Sequence, residues 1–331
     1  MRTRNKEKGM TLIELLVVGT IITILTVIAL PLVKPMIDSQ QTRGASQIVS
    51  TYLNRAKSRA RLTGRPCGVC FEVFPGTEEW GGASLVMRQV EVPPEYTGFL
   101  GKEIGSIKPE DRAEDGTYRP FRFICDDEYL HQTLRQGNRV QVGGTGPYYT
   151  VREEPKPEFG IDYFELEEPV TTPVVSRTGH FRVQLSPRPT MTPPVALPQG
   201  TVVDLCYSGC GTAWGALGGG TVARNVTVMF SPKGEVSIPS ELDENRYPVG
   251  PLYLLVGRWD QIPAVRDEGE EGSWPNWADG RNYWVTVQPQ SGLVTTAEVN
   301  PTTLPDGGDG IVDIVHSREF AAQVKQNIGG Y

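Results

Sequence analysis

Lys8-Gly9-Met10-Thr11-Leu12-Ile13-Glu14-Leu15-Leu16-Val17-Val18 opens an apolar run that continues to Val33. Met10 to Val33 is long enough, as a helix rising about 1.5 Å per residue, to cross a bilayer core of about 30 Å. Glu14 is the only charge in the run. A carboxylate at membrane depth costs about 2.5–3.5 kcal/mol on insertion scales, so it calls for a reason. Residues 1–9 carry four cations and one anion, and this basic side should stay in the cytoplasm while the rest of the chain crosses. An ordinary secretory signal places a small-residue cleavage site after its apolar run. Here no A-x-A site follows. The small residue is Gly9, before the run, and cleavage there removes the leader while keeping the helix.

Gly9-Met10-Thr11-Leu12-Ile13-Glu14 resembles the class III signal of type IV pilins and type II secretion pseudopilins. The resemblance implies cleavage by prepilin peptidase between Gly9 and Met10, and N-methylation of Met10. It also implies an assembly role for Glu14, which matches the family's glutamate. The physical chemistry agrees. Cleavage exposes an α-amino group of pKa near ~8, cationic at neutral pH. A Glu14 carboxylate in an apolar filament core then has a partner on a neighbouring subunit, where either charge alone would be costly. Similar pilins often carry a proline where Pro31 falls, a place where the helix can bend or melt during assembly. Gly19, Pro31 and Pro35 interrupt the run, and the two prolines also suit an exit from the membrane.

Beyond the run, Ile37, Ala45, Ile48, Val49, Tyr52, Leu53, Ala56 and Ala60 recur at helical steps, and Gly64 then Pro66 provide a stop. Arg43, Arg55, Lys57, Arg59 and Arg61 lie largely off that stripe. The expected plan is a leader at 1–9, a membrane or filament-core helix at 10–33, an amphipathic continuation at 34–64 and a β-rich periplasmic head at 65–331. The fold class is therefore α+β: a long N-terminal helix, membrane-spanning in its first half, packed on an antiparallel head. By resemblance it is pilin-like with a large insertion.

The whole chain has a formal charge of −7. The leader contributes +3, the apolar run −1 and residues 34–62 +5, which leaves −14 for residues 63–331. So acidic a head argues against nucleic acid as a partner. The cysteines are Cys67, Cys70, Cys125, Cys206 and Cys210. Cys206 and Cys210 could close a small loop in an oxidising envelope. A cross-link between the Cys67/Cys70 and Cys206/Cys210 pairs is equally open, and a zinc site would need all four together.

Period-two segments predict strands at 69–74, 85–92, 139–142, 148–152, 162–166, 181–185, 201–205, 225–230, 235–238, 252–256, 283–287 and 293–298. Ser231-Pro232-Lys233-Gly234 reads as a hairpin. Leu197-Pro198-Gln199-Gly200, the 226–234 strand and turn, and the 283–294 hairpin fit the outline of H-type (FimT-like) minor pseudopilins. Those are generally much shorter. Residues 75–195 therefore read as an insertion, and 187–198 as a proline-rich linker. The bulk of this head suggests a place at or near a filament tip.

Three further segments carry open readings. Trp274 and Trp277 sit in a turn-rich loop that either contacts a partner or folds onto the head. Asp306, Asp309 and Asp313, spaced by glycines, would serve as a calcium loop or a plain acidic turn. Ser317 reads as the N-cap of a short C-terminal helix over 317–324. There are three histidines, and no H-E-x-x-H, G-x-S-x-G or P-loop. The expectation is a structural subunit with no cofactor. Its partners are the peptidase, other pilin or pseudopilin subunits and an inner-membrane assembly platform. A membrane-tethered hydrolase is the distant rival.

Overall fold

A computed structural model describes residues 12–77, 82–98, 104–112, 118–119, 121–152, 156–158, 161–167, 176–211, 225–239, 248, 250–262, 274–300 and 310–326. Within those, the side chains of 27–37, 111–112, 118–119, 131, 156–158, 161–162, 310–313 and 324–326 are outside the description. Helix α1 (Leu12–Thr63) comes first, then β1 (Cys67–Val73) and β2 (Ala83–Glu91). Next come β3 (Ile104–Lys108), the hairpin β4 (Asp111–Arg112) and β5 (Tyr118–Arg119), β6 (Arg122–Cys125) and α2 (Glu128–Thr133). They lead to β7 (Arg139–Val142), β8 (Tyr149–Thr150), β9 (Lys156–Glu158), β10 (Ile161–Glu165) and β11 (Arg177–Gln184). The chain returns through β12 (Arg188–Pro189) and β13 (Val195–Ala196) to β14 (Thr201–Cys210), β15 (Val226–Phe230) and β16 (Val236–Ser237). Strands β17 (Leu252–Arg258), β18 (Tyr283–Val287) and β19 (Val294–Glu298) and helix α3 (Gly310–Gln326) complete it.

The first sheet runs β16-β15-β1-β2-β14-β17-β18-β19 and is antiparallel throughout. Helix α1 packs on one face. Ala45, Val49, Leu53, Ala56 and Ala60 are buried against Val69, Phe71, Val228, Phe230, Leu254, Val256 and Val285. The apolar stripe expected over 45–60 is this contact. Small alanines along it let the helix lie close to the sheet. Gly64 ends the helix at φ +66°, a left-handed turn that costs glycine no steric penalty. Helix α3 covers the opposite face, where Tyr253, Leu255 and Trp284 bury Ile314 and Ala321. Successive residues of β17 thus point alternately to α1 and α3, so the strand reads as an unbroken apolar run. The C-terminal helix starts at Gly310, not at Ser317. Ser317 sits mid-helix and accepts the Trp284 Nε1–H at 2.9 Å, because a buried indole needs an acceptor. Its side chain is engaged across the interface rather than at a helix end.

The second sheet is a separate unit with its own core. Its order is β8-β7-β11-β3-β6-β10-β9. It closes on itself: Val151 bridges Leu166, Arg152 N–H donates to the Glu165 carbonyl at 2.8 Å, and Glu167 N–H donates to the Thr150 carbonyl at 2.9 Å. The result is a small barrel filled by Phe121, Phe123, Phe164, Phe181, Val140 and Val183. Closure removes the open edges that a sheet otherwise presents. The expected strands do not include β3 or β6, and helix α2 between β6 and β7 is capped by the Asp127 carboxylate, which accepts the Leu130 N–H.

The stretch read as inserted, 75–195, also contains β2, a central strand of the first sheet. Nor is 187–198 a spacer. Arg188 pairs with Glu91, Pro189 with Val90, Val195 with Met87 and Ala196 with Val86, so the proline-rich backbone lies extended along β2. Proline's extended φ suits that position, and its missing N–H matters least beside short two-residue pairings.

Candidate functional site: the N-terminal helix and its seat

Gly9 and Met10 lie outside the described residues. From Leu12 onward the helix is an apolar rod. Leu12, Ile13, Leu15, Leu16, Ile21, Ile22, Ile24 and Leu25 are all exposed among the described residues. Thr20, Thr23 and Thr26 turn their hydroxyls inward, donating to the carbonyls of Leu16, Gly19 and Ile22 at 2.8–2.9 Å. Each of these hydroxyls is thereby satisfied within the rod, as a helix needs wherever water is absent. Glu14 stands in the first turn of this rod, where the helix dipole favours a carboxylate. The backbone is helical through Pro31 and Pro35, without a break between rod and head. Among the described residues no helix is long and apolar enough to cross a membrane. The rod's described side chains end at Thr26, after about 22 Å of helix.

Where α1 enters the head, a polar seat holds it. Asp38 pairs with Arg258 at 3.1 Å, and Arg258 also holds Asp260. One turn on, Thr42 donates to the Arg281 carbonyl at 2.6 Å. Asp38, Arg258 and Asp260 line a small open cleft between Gln41 of the helix and Gly200, Thr201 and Trp259 of the head.

Behind them lies a buried hydrogen-bond network centred on Asn276, which is 0 % exposed. Its Nδ2 donates to Asp204 at 2.9 Å, and its Oδ1 accepts from the Arg258 N–H at 2.7 Å and from Asn282 at 3.1 Å. Asn282 also donates to Gln261, and Gln261 donates to Asp279 at 2.7 Å. Arg281 then clamps both Asp279 oxygens at 2.9 and 2.6 Å. Burial alone would raise the Asp279 pKa, but the hydrogen bonds from Arg281 and Gln261 outweigh it and hold the carboxyl below its usual range. A Cβ on Gly257 would collide with the Asn276 amide, so only glycine fits there. Asn276 and Asp279 lie in the 273–279 loop, which stood out in the sequence only for its tryptophans. The available signal was Asp38, the single acid between Glu14 and Glu72.

The remaining candidates disperse. All five cysteines are thiols. Cys206 and Cys210 share strand β14 and do not close the expected loop, while β2 lies between that strand and β1, which carries Cys67 and Cys70. The reason is local: Asp204 accepts the Cys206 and Tyr207 N–H groups, and a bulge between Asp204 and Gly209 sets the backbone instead. Burial, with the Asp204 charge, pushes the Cys206 thiol up to about 12. Asp306 and Asp309 lie outside the described residues, and Asp313 belongs to α3. Among the described residues no three His, Cys, Asp or Glu side chains converge as a metal site. Trp277 is buried in the core beneath α3, whereas Trp274 is 39 % exposed.

Residues 4–30 match the prokaryotic N-terminal methylation motif. The N-terminus is that of a pilin-type prepilin. The motif supports a type IV pilin-like protein, and it implies processing by prepilin peptidase and assembly with other pilin subunits. No curated protein and no solved structure gives a significant match to the chain.

Proposed function

We propose that this pilin-like chain is a minor pseudopilin of a type II secretion pseudopilus, of the H type. Gly9 is its cleavage residue and Met10 its methylated N-terminus. One observation carries the reading: a methylation motif continues into an apolar rod that stands clear of its own head, with one carboxylate near the mature end. Such a rod is stable only in lipid or among other rods. Before assembly the 10–33 helix spans the inner membrane once, with the head in the periplasm. The assembly platform then draws it into a filament, where Glu14 pairs with a neighbour's α-amino group. The chain acts by packing and carries out no chemistry of its own.

The same observation suits a minor pilin of a type IV pilus. A neighbouring gene for a retraction ATPase would favour that reading over secretion. The test is Glu14→Leu in the native host. Expected is normal membrane insertion and processing, with incorporation into filaments reduced at least about tenfold, the loss of one desolvated charge pair. Normal incorporation would sink the assembly role. Intact mass of the wild-type product should begin at methylated Met10.

A further inference from the structure

Residues 39–71 hold six cations and no anion. Three are occupied by the head: Arg59 pairs with Glu91 at 2.9 Å, Arg65 reaches the same carboxylate at 4.0 Å, and Lys57 donates to the Gly292 carbonyl at 2.9 Å. The other three, Arg43, Arg55 and Arg61, are exposed. Among the described residues none of these three side chains takes part in an ion pair or hydrogen bond. They share one face of α1 with the exposed Gln47, Thr51 and Ser58, over about 27 Å of helix. Burial, and secondarily the neighbouring Arg61 charge, lower the Lys57 pKa.

We infer that this basic face is an interface between copies of the chain, and that its occupant is the acidic head of a second copy. The inference rests on the assembly reading of α1. Rods that stack side by side bring the continuing half of each helix against a neighbour's head. Residues 34–62 carry +5, and residues 63–331 carry −14. The two parts of one molecule are therefore complementary between molecules. The same −14 repels phosphate polymers, which makes a head better suited than nucleic acid to the arginine face. Exposed pairs are individually weak, but three acting together amount to roughly tenfold in association, and salt screens them.

The test uses the processed full-length chain in detergent, with self-association followed by sedimentation at about 0.05 M and about 0.5 M salt. Expected is an association about tenfold weaker at high salt. Arg43→Glu/Arg55→Glu/Arg61→Glu should lose a similar amount already at low salt, while the matching triple lysine variant stays near wild type. Unchanged circular dichroism of these surface variants confirms that they fold. A photoreactive residue at position 55 should cross-link to a second copy in membranes. Association that ignores both salt and charge reversal overturns the interface while leaving assembly intact. Cross-links only to a different subunit, or an arginine-dependent mobility shift with duplex DNA in place of self-association, overturn it as well. Absence of any assembly, with Glu14 intact, overturns the assembly reading and this one with it.

Discussion

Asp279 shows how one residue of the seat contributes to stability. Its carboxyl is held below the usual range by Arg281 and Gln261 despite burial. A depressed pKa stabilises the fold above the unfolded value near ~3.9, and that contribution is lost as pH falls through the folded value. Asp279→Asn should therefore cost about 1–2 kcal/mol at neutral pH, and the difference should shrink as pH falls below the unfolded value and through the folded one, where wild type loses the same interaction. Denaturant titrations at several pH values check this, and parallel curves for the two proteins would refute it. Cys206 makes the opposite case. With its thiol pushed up to about 12, almost no thiolate exists near pH 8. A maleimide should label Cys206 in the folded head far more slowly than in urea; equal rates would show that its burial is not maintained.

At the scale of elements, α1 and α3 grip the same sheet by different means. Helix α1 relies on close alanine packing and the Asp38–Arg258 pair. Helix α3 relies on Arg318, which is 0 % exposed, donates to the Tyr207 carbonyl at 2.6 Å and lies over the Tyr253 and Trp284 rings at 5.8 and 5.6 Å. Burial lowers its pKa to about 10, so the guanidinium stays charged at neutral pH and supports a cation–π contact. Arg318→Ala should destabilise the head by about 3 kcal/mol and raise hydrogen exchange over 314–323. Protection retained there would mean that α3 is held chiefly by Ile314 and Ala321. The helical stripe over 45–60 was legible in the sequence because its spacing is local. Ser317 was misjudged as a cap because its true partner, Trp284, is 33 residues away.

For the whole molecule, the barrel is an appended unit. The chain leaves the first sheet at Glu91 and re-enters it at Arg188, and these two residues are directly paired. Replacing residues 92–187 with a two-residue Asn-Gly turn should leave α1, its seat and α3 folded, since the barrel core is separate. Far-UV circular dichroism and unchanged membrane incorporation of the shortened chain would confirm it. Aggregation would show that the barrel supports β2. The Glu91 end of the sheet, from which the chain enters the barrel, is tied through Arg59 to the C-terminal end of α1 and to Arg65 just beyond it.

By itself, the sequence determined the features with short range: the basic leader, the apolar rod with its one acid, the helical stripe, the stop at Gly64 and most strands of the head. Each is written in neighbours within a few residues, where backbone period and charge suffice. Only the tertiary structure decided that β2 belongs to the main sheet, that the prolines of 187–198 lie along it, that six strands close into a barrel, and that Asp38 meets Arg258. Those pairings join segments tens to hundreds of residues apart. Which distant groups come together depends on burying whole faces at once, and no local spacing records it.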